Sequence, residues 1–169
     1  MIFRRKRERL TDYEQRVIND VQEYGWYCSA VFDPDGDDPN FAYSVGFTST
    51  LNAPEFIVFG LDLKLMHSML WEVFRQIDAG KAVVDGDRWS GLLEGFDCVA
   101  RAVHADNVVR EYLNSAIWYW RRGGNDRSPP VYQIAWPGAQ DGLFPWDQGC
   151  AAIVQKLQPP LWSQPEHAQ

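Results

Sequence analysis

The sequence predicts an α+β domain, with an antiparallel or mixed sheet of about five to six strands and two to three helices packed on it. Three stretches predict this. From Phe41 to Phe47, large apolar residues alternate with Ala42, Ser44 and Gly46, the period of two expected of a strand with one greasy face and its small residues exposed on the other. Phe56 to Phe59 is a continuous apolar run, as in a strand covered on both sides. Leu63, Met66, Met69, Leu70, Val73, Phe74 and Ile77 fall on one stripe at helical spacing.

The elements follow in order. Thr11 and Glu14 form a capping-box pattern, Val17, Ile18 and Val21 mark a helical face, and Gly25 stops that helix. Trp26 to Phe32 reads as the first strand. The stretch Asp33 to Asn40 is too rich in proline, glycine and acid for regular structure, so it forms the tip of a hairpin with the Phe41 strand. Thr48 to Pro54 is a turn-rich joint before the second core strand. Asp62 caps the long helix and Gly80 ends it. Lys81 to Val84 reads as a short strand, followed by an Asp85-Gly86 turn.

Phe96 to His104 alternates again. Asp106 or Asn107 then caps a third helix, whose buried face is Val109, Tyr112, Leu113, Ala116, Ile117 and Trp120; it carries Arg121 and Arg122 in its last turn and stops at Gly123-Gly124. Val131 to Trp136 reads as the last strand and Cys150 to Leu157 as a short helix. The expected organisation is a basic tail over residues 1–10, one domain over 11–158 and a flexible C-terminal tail over 159–169.

Charge and composition exclude several classes. The net charge is -7, yet the first ten residues carry five basic side chains against one acid. Removing that +4 segment leaves a body near -11. Such a body repels phosphate backbones, so no nucleic-acid partner is expected. No apolar run is long enough to span a membrane and no secretory leader is evident, which points to the cytoplasm. Cys28, Cys98 and Cys150 are widely spaced and odd in number, as free thiols would be.

Chemical motifs are scarce. Asp33, Asp35 and Asp37 have the alternate spacing of a calcium loop, but the glycine and the closing glutamate are misplaced. No Cys or His pair has zinc-ligand spacing. Cys98 and His104 stand roughly 20 Å apart along a strand, too far for a dyad. There is no nucleophile elbow, P-loop or dinucleotide fingerprint, so neither catalytic residues nor a metal or cofactor are assigned. What remains is a polar set in aromatic company: Tyr43, Ser44, Glu55, Trp136, Asp141, Trp146 and Asp147. A carboxylate beside tryptophan can be pushed toward acid–base work. The plainer alternative makes Asp141 and Asp147 turn residues and pairs Glu55 with an arginine such as Arg101.

These blocks carry a family likeness. Tyr43-Ser44-Val45-Gly46-Phe47, Pro54-Glu55 with its apolar strand and Gly60-Leu61, Trp136-Pro137, and Gly142 to Asp147 resemble the bacterial family catalogued as domain of unknown function 4262. Tyr24-Gly25-Trp26 matches its opening, and the likeness runs from about Ile18 to Asp147. Ser44 replaces its usual threonine, Phe47 its leucine, and Gly138 the aspartate after Trp-Pro, for which nearby Asp141 can substitute. The resemblance implies a small cytoplasmic bacterial protein and no established reaction.

Two functions compete. The preferred one is a binding protein without catalysis, of the immunity or antitoxin type, that neutralises a basic partner protein or toxin. Asp33, Asp35, Asp37 and Asp38 would then steer the partner. The alternative is a small hydrolase-like enzyme or ligand-binding domain, with Tyr43, Glu55, Trp136 and Asp147 around a cavity of roughly 300 Å³ or more.

Overall fold

A computed structural model describes residues 9–165. Along the chain lie helix α1 (Asp12–Tyr24), strands β1 (Tyr27–Val31) and β2 (Phe41–Val45), the single turn α2 (Phe47–Thr50), β3 (Glu55–Phe59) and α3 (Leu63–Asp78). Then come β4 (Arg88–Leu93), β5 (Phe96–Ala102), α4 (Arg110–Arg122), β6 (Val131–Ala135) and α5 (Ala152–Leu157). Most of the basic N-terminal segment read in the sequence lies outside the described residues.

The strands make one mixed sheet in the order β1-β2-β3-β6-β5-β4. Only β3 and β6 run parallel; the other neighbours are antiparallel. The α+β class and a six-stranded mixed sheet are thus as the sequence predicts. Helices cover both faces. On one side, Met66, Met69, Leu70 and Val73 of α3 pack on Ala42, Phe56, Val58, Cys98 and Ile134. On the other, Val17 and Val21 of α1 and Leu113, Ala116 and Ile117 of α4 pack on Phe41, Tyr43, Val45, Ile57 and Phe59. The central strands are therefore sandwiched, and Ala42 and Ser44, expected on an exposed face, are fully buried.

Several expectations are corrected. Phe47 does not continue the alternation of β2. Gly46, at φ 107°, turns the chain, and Phe47 enters the α3-side core opposite Tyr43 and Val45. Lys81 to Val84 is irregular, because the Lys81 amide bonds back to the Gln76 carbonyl at the end of α3. The strand of this region is β4 instead, hidden in the sequence by Ser90 and Gly91 and by a register shift between Trp89 and Leu93.

Neither Asp106 nor Asn107 caps α4. They lie in a 3-10 turn capped by His104, while the Asn107 side chain donates through Nδ2 to the Leu161 and Ser163 carbonyls. Pro159 to Ser163, expected to be flexible, is docked. The Gln133 side chain donates to the Pro159 carbonyl and accepts from the Leu161 amide, and Leu161 is buried.

Candidate functional site

The seven polar and aromatic candidates do not share a cavity; the sheet distributes them. Adjacent residues of a strand face opposite ways, so Tyr43 and Ser44 part company. The Tyr43 hydroxyl accepts from the Ser115 amide (3.0 Å), anchoring α4 to β2. Ser44 turns instead toward Glu55, the first residue of β3. The Glu55 carboxylate accepts from Ser44 Oγ (2.9 Å), the Phe47 amide (2.9 Å) and the Gly46 amide (2.8 Å). Ser44 Oγ also accepts from the Phe56 amide (2.9 Å), so its one donor and one of its two acceptor positions are used inside the junction.

Burial pushes Glu55 up to about 7, while the Gly46, Ser44 and Phe47 donors pull it down. Among the described residues no arginine meets it: Arg101 pairs with Asp85 (3.3 Å). A serine beside a carboxylate is the raw material of nucleophilic catalysis. Here both groups are buried and the oxygen is already bonded on each side, so no substrate atom has access.

The C-terminal candidates are structural in part. Trp136 Nε1 donates to the Phe59 carbonyl (2.7 Å), and its backbone is held in both directions by Gln158. Asp141 accepts from the Leu143 amide (3.0 Å) and Asp147 from the Phe144 amide (2.8 Å), which makes both turn residues. Trp146 stacks on Phe144 with ring centroids 5.1 Å apart and meets Trp162 edge-on.

This corner does form a cleft of about 380 Å³. Trp146 and Asp147 line it together with Asp85, Arg88 and Arg101. The Arg101 guanidinium lies 4.9 Å from the Trp146 ring and 5.6 Å from Trp162. Arg88 and Trp162 were not singled out in the sequence, and Arg101 was named there only as a partner for Glu55. Only their meeting across β4, β5 and the C-terminal segment makes them a group.

The acidic candidates form an ordered display. Asp33 accepts from the amides of Asp35 (3.0 Å), Asp37 (3.1 Å) and Asp38 (3.1 Å). Those amides hold its carboxyl below the usual carboxylate range. With one acid turned inward as the staple, Asp35, Asp37 and Asp38 stand exposed. Next to this loop lies the free edge of β1, with an aromatic trough of about 470 Å³ between α1 and α3, lined by Tyr24, Trp26, His67 and Trp71 among others. A larger hollow of about 1100 Å³ lies between α1 and α4 and is basic, with Arg110, Arg121 and Arg122.

Among the described residues, no group of three or more His, Cys, Asp or Glu side chains could hold a metal. Burial pushes the Cys28 and Cys98 thiols up to about 12, where thiolate chemistry is suppressed. No helix among the described residues is long and apolar enough to cross a membrane.

Residues 20–151 match the model of a family described as Domain of unknown function (DUF4262). Neither a curated protein nor a solved structure gives a significant match.

Proposed function

The chain belongs to the DUF4262 family, and from that premise we propose that it is a non-enzymatic bacterial binding protein that engages a basic partner protein. The observation that carries this reading is the loop from Asp33 to Asp38, which is folded around its own first carboxylate and presents three more to solvent. Like charges held together by an internal staple raise the local negative potential without waiting for a partner to order them. The sealed Ser44–Glu55 junction supports the absence of catalysis at the most reactive-looking pair. Neutralisation of a toxin, as an immunity protein performs it, is the finer form of this proposal. The free thiols fit a reducing cytoplasm.

The test is purification at low salt of the wild type and an Asp35→Asn, Asp37→Asn, Asp38→Asn triple variant, with mass spectrometry of what is retained. The proposal expects a lysine- and arginine-rich protein bound to the wild type, released by salt and lost from the variant. One observation favours a second reading. The cleft of Arg88, Arg101 and Trp146 has the aromatic and charged lining of a small-ligand site. A retained small molecule, displaced by Arg101→Ala, with no protein retained, would replace the first reading by the second.

A further inference from the structure

We infer that β1 receives an extended strand from the basic partner, whose main chain pairs with Cys28 and Ala30 and whose side chains enter the trough beside them. This deepens the binding proposal above and rests on it for the partner's charge alone.

The sheet has two free edges, β1 and β4, and the fold treats them differently. Open edges invite pairing, and proteins blunt them with lysine, proline, bulges or covering side chains. At β4 the Gln76 side chain donates to the Ser90 carbonyl (2.7 Å) and Lys81 Nζ to the Arg88 carbonyl (3.3 Å), and the strand carries a register shift. Among the described residues nothing equivalent protects β1. Its sequence from Tyr27 to Val31 has no proline or lysine, and its register with β2 is unbroken over all five pairs.

Ladder geometry shows which groups are open. The Gly60 amide donates to the Asn40 carbonyl (2.7 Å), so the even-numbered backbone groups of this strand face β3. Those of Phe41, Tyr43 and Val45 therefore face β1, and their partners Val31, Ser29 and Tyr27 bond inward. Cys28 and Ala30 are left with N–H and C=O turned outward. Among the described residues no side chain hydrogen-bonds to them. Both also line the aromatic trough, where Trp26, His67 and Trp71 stack at 5.4–6.1 Å. At the far end of the strand Phe32 is 60% exposed, and at the near end Tyr24 is 59% exposed.

Charge selects the occupant. Antiparallel pairing of two β1 strands would set each Asp33–Asp38 loop beside Asp20 and Glu23 on the α1 of the other copy, acid against acid. An added strand with apolar side chains on one face and lysine or arginine on the other fills the trough and meets those acids. This is strand addition, in which main-chain bonds supply affinity and pockets for alternate side chains supply choice.

The probe is a capped synthetic peptide, Lys-Phe-Lys-Val-Lys-Phe-Lys, titrated calorimetrically into the full chain and into Ala30→Pro. Proline at this position removes an outward N–H and no β1–β2 bond. Ala30→Lys is the second variant, an edge block that leaves the backbone untouched. A copy of the peptide N-methylated at alternate residues keeps the side chains and removes the pairing. The expected result is binding that weakens at least tenfold with either variant and with the methylated peptide, and slower amide exchange at Ala30 in the complex.

The inference is overturned by no binding up to about 1 mM, by equal affinity for the methylated peptide, or by wild-type affinity in both variants. A wild-type dimer in sedimentation that Ala30→Lys dissolves overturns it too, by making a second copy the occupant. Edge sensitivity with no effect of the Asp35, Asp37 and Asp38 triple variant upholds the strand site and discards the acidic-loop reading. The reverse pattern discards the strand site alone.

Discussion

Ser44 Oγ donates to Glu55 Oε1 at 2.9 Å inside a junction that ties the end of β2, the turn α2 and the start of β3 together. The same carboxylate takes the Gly46 and Phe47 amides, which would otherwise be buried donors with no partner. Removing the acceptor strands three donors, and each unsatisfied buried group costs roughly 1–3 kcal/mol. Glu55→Ala is expected to lower stability by about 3–5 kcal/mol in urea unfolding. Ser44→Ala keeps the two amide bonds and should cost about 1–2 kcal/mol. A loss below about 1 kcal/mol for Glu55→Ala would show that the junction does not depend on the carboxylate.

The same residue sets a pH dependence. Glu55 is raised from its ordinary 4.5 to about 7, chiefly by burial. Between those values the folded protein holds a proton that the unfolded chain has released, so folding takes up protons and stability falls as pH rises. The contribution is complete below about 4.5 and lost as pH passes about 7, a change on the order of 3 kcal/mol. Other carboxylates titrate too, so the measurement is the wild type minus Glu55→Gln in urea midpoints from pH 4.5 to 8. That difference should decline with pH. A difference that grows would mean the donors outweigh burial and hold the carboxylate ionised.

Local chemistry made much of the fold legible. Thr11 and Glu14 form the capping box because both partners lie within one turn. The apolar stripe of α3 needs only its own periodicity, and the flanks of the β1–β2 hairpin are neighbours in sequence. The parallel register of Glu55 with Val131 joins distant segments, and no pattern in either strand encodes it. The environment of Glu55 was hidden for a different reason. Its main donors are backbone amides, which every residue type but proline carries, and a residue before an apolar run reads equally well as an ion-pair partner. Trp146 and Asp147 were visible as individuals, but Arg88 and Arg101 join them only through the sheet order.

Gly60 fixes how the C-terminal segment sits on the sheet. It adopts φ 82°, and an added Cβ would lie 2.6 Å from the Leu157 carbonyl oxygen and 2.8 Å from Leu157 Cβ. Backbone and α5 would have to move away, taking Gln158 and its bonds to Trp136 with them. Gly60→Ala should cost more than about 3 kcal/mol, whereas Gly36→Ala, also at positive φ but in open space, should cost only the backbone strain of about 1–2 kcal/mol. Equal effects in thermal or urea unfolding would remove the close approach as the cause.

Asp33→Ala separates display from charge. The variant loses one of the loop's acids but, more importantly, the acceptor for the Asp35, Asp37 and Asp38 amides. Hydrogen exchange at those three amides should speed up severalfold with little change in global stability, because the loop is exposed and packs against little. Asp37→Asn removes the same unit of charge and leaves the staple, so its exchange rates should stay at the wild-type level. Matching rates in the two variants would mean that the loop is ordered by something other than Asp33.

Gln133 is a buried two-handed clamp on the chain after α5. Its Nε2 donates to the Pro159 carbonyl at 2.9 Å and its Oε1 accepts from the Leu161 amide at 3.1 Å. Leu161 then supplies carbonyl contacts to His104 and Asn107, so one side chain in β6 indirectly holds the 3-10 turn before α4. Gln133→Leu preserves volume approximately and removes both bonds, leaving the Leu161 amide and the Pro159 carbonyl only the 3.0 Å bond between themselves. The expected cost is about 1–3 kcal/mol, with the release of residues 159–165 visible as faster cleavage by a nonspecific protease. If cleavage accelerates without a loss of global stability, the strap opens by itself; if both change together, its docking is part of the cooperative core.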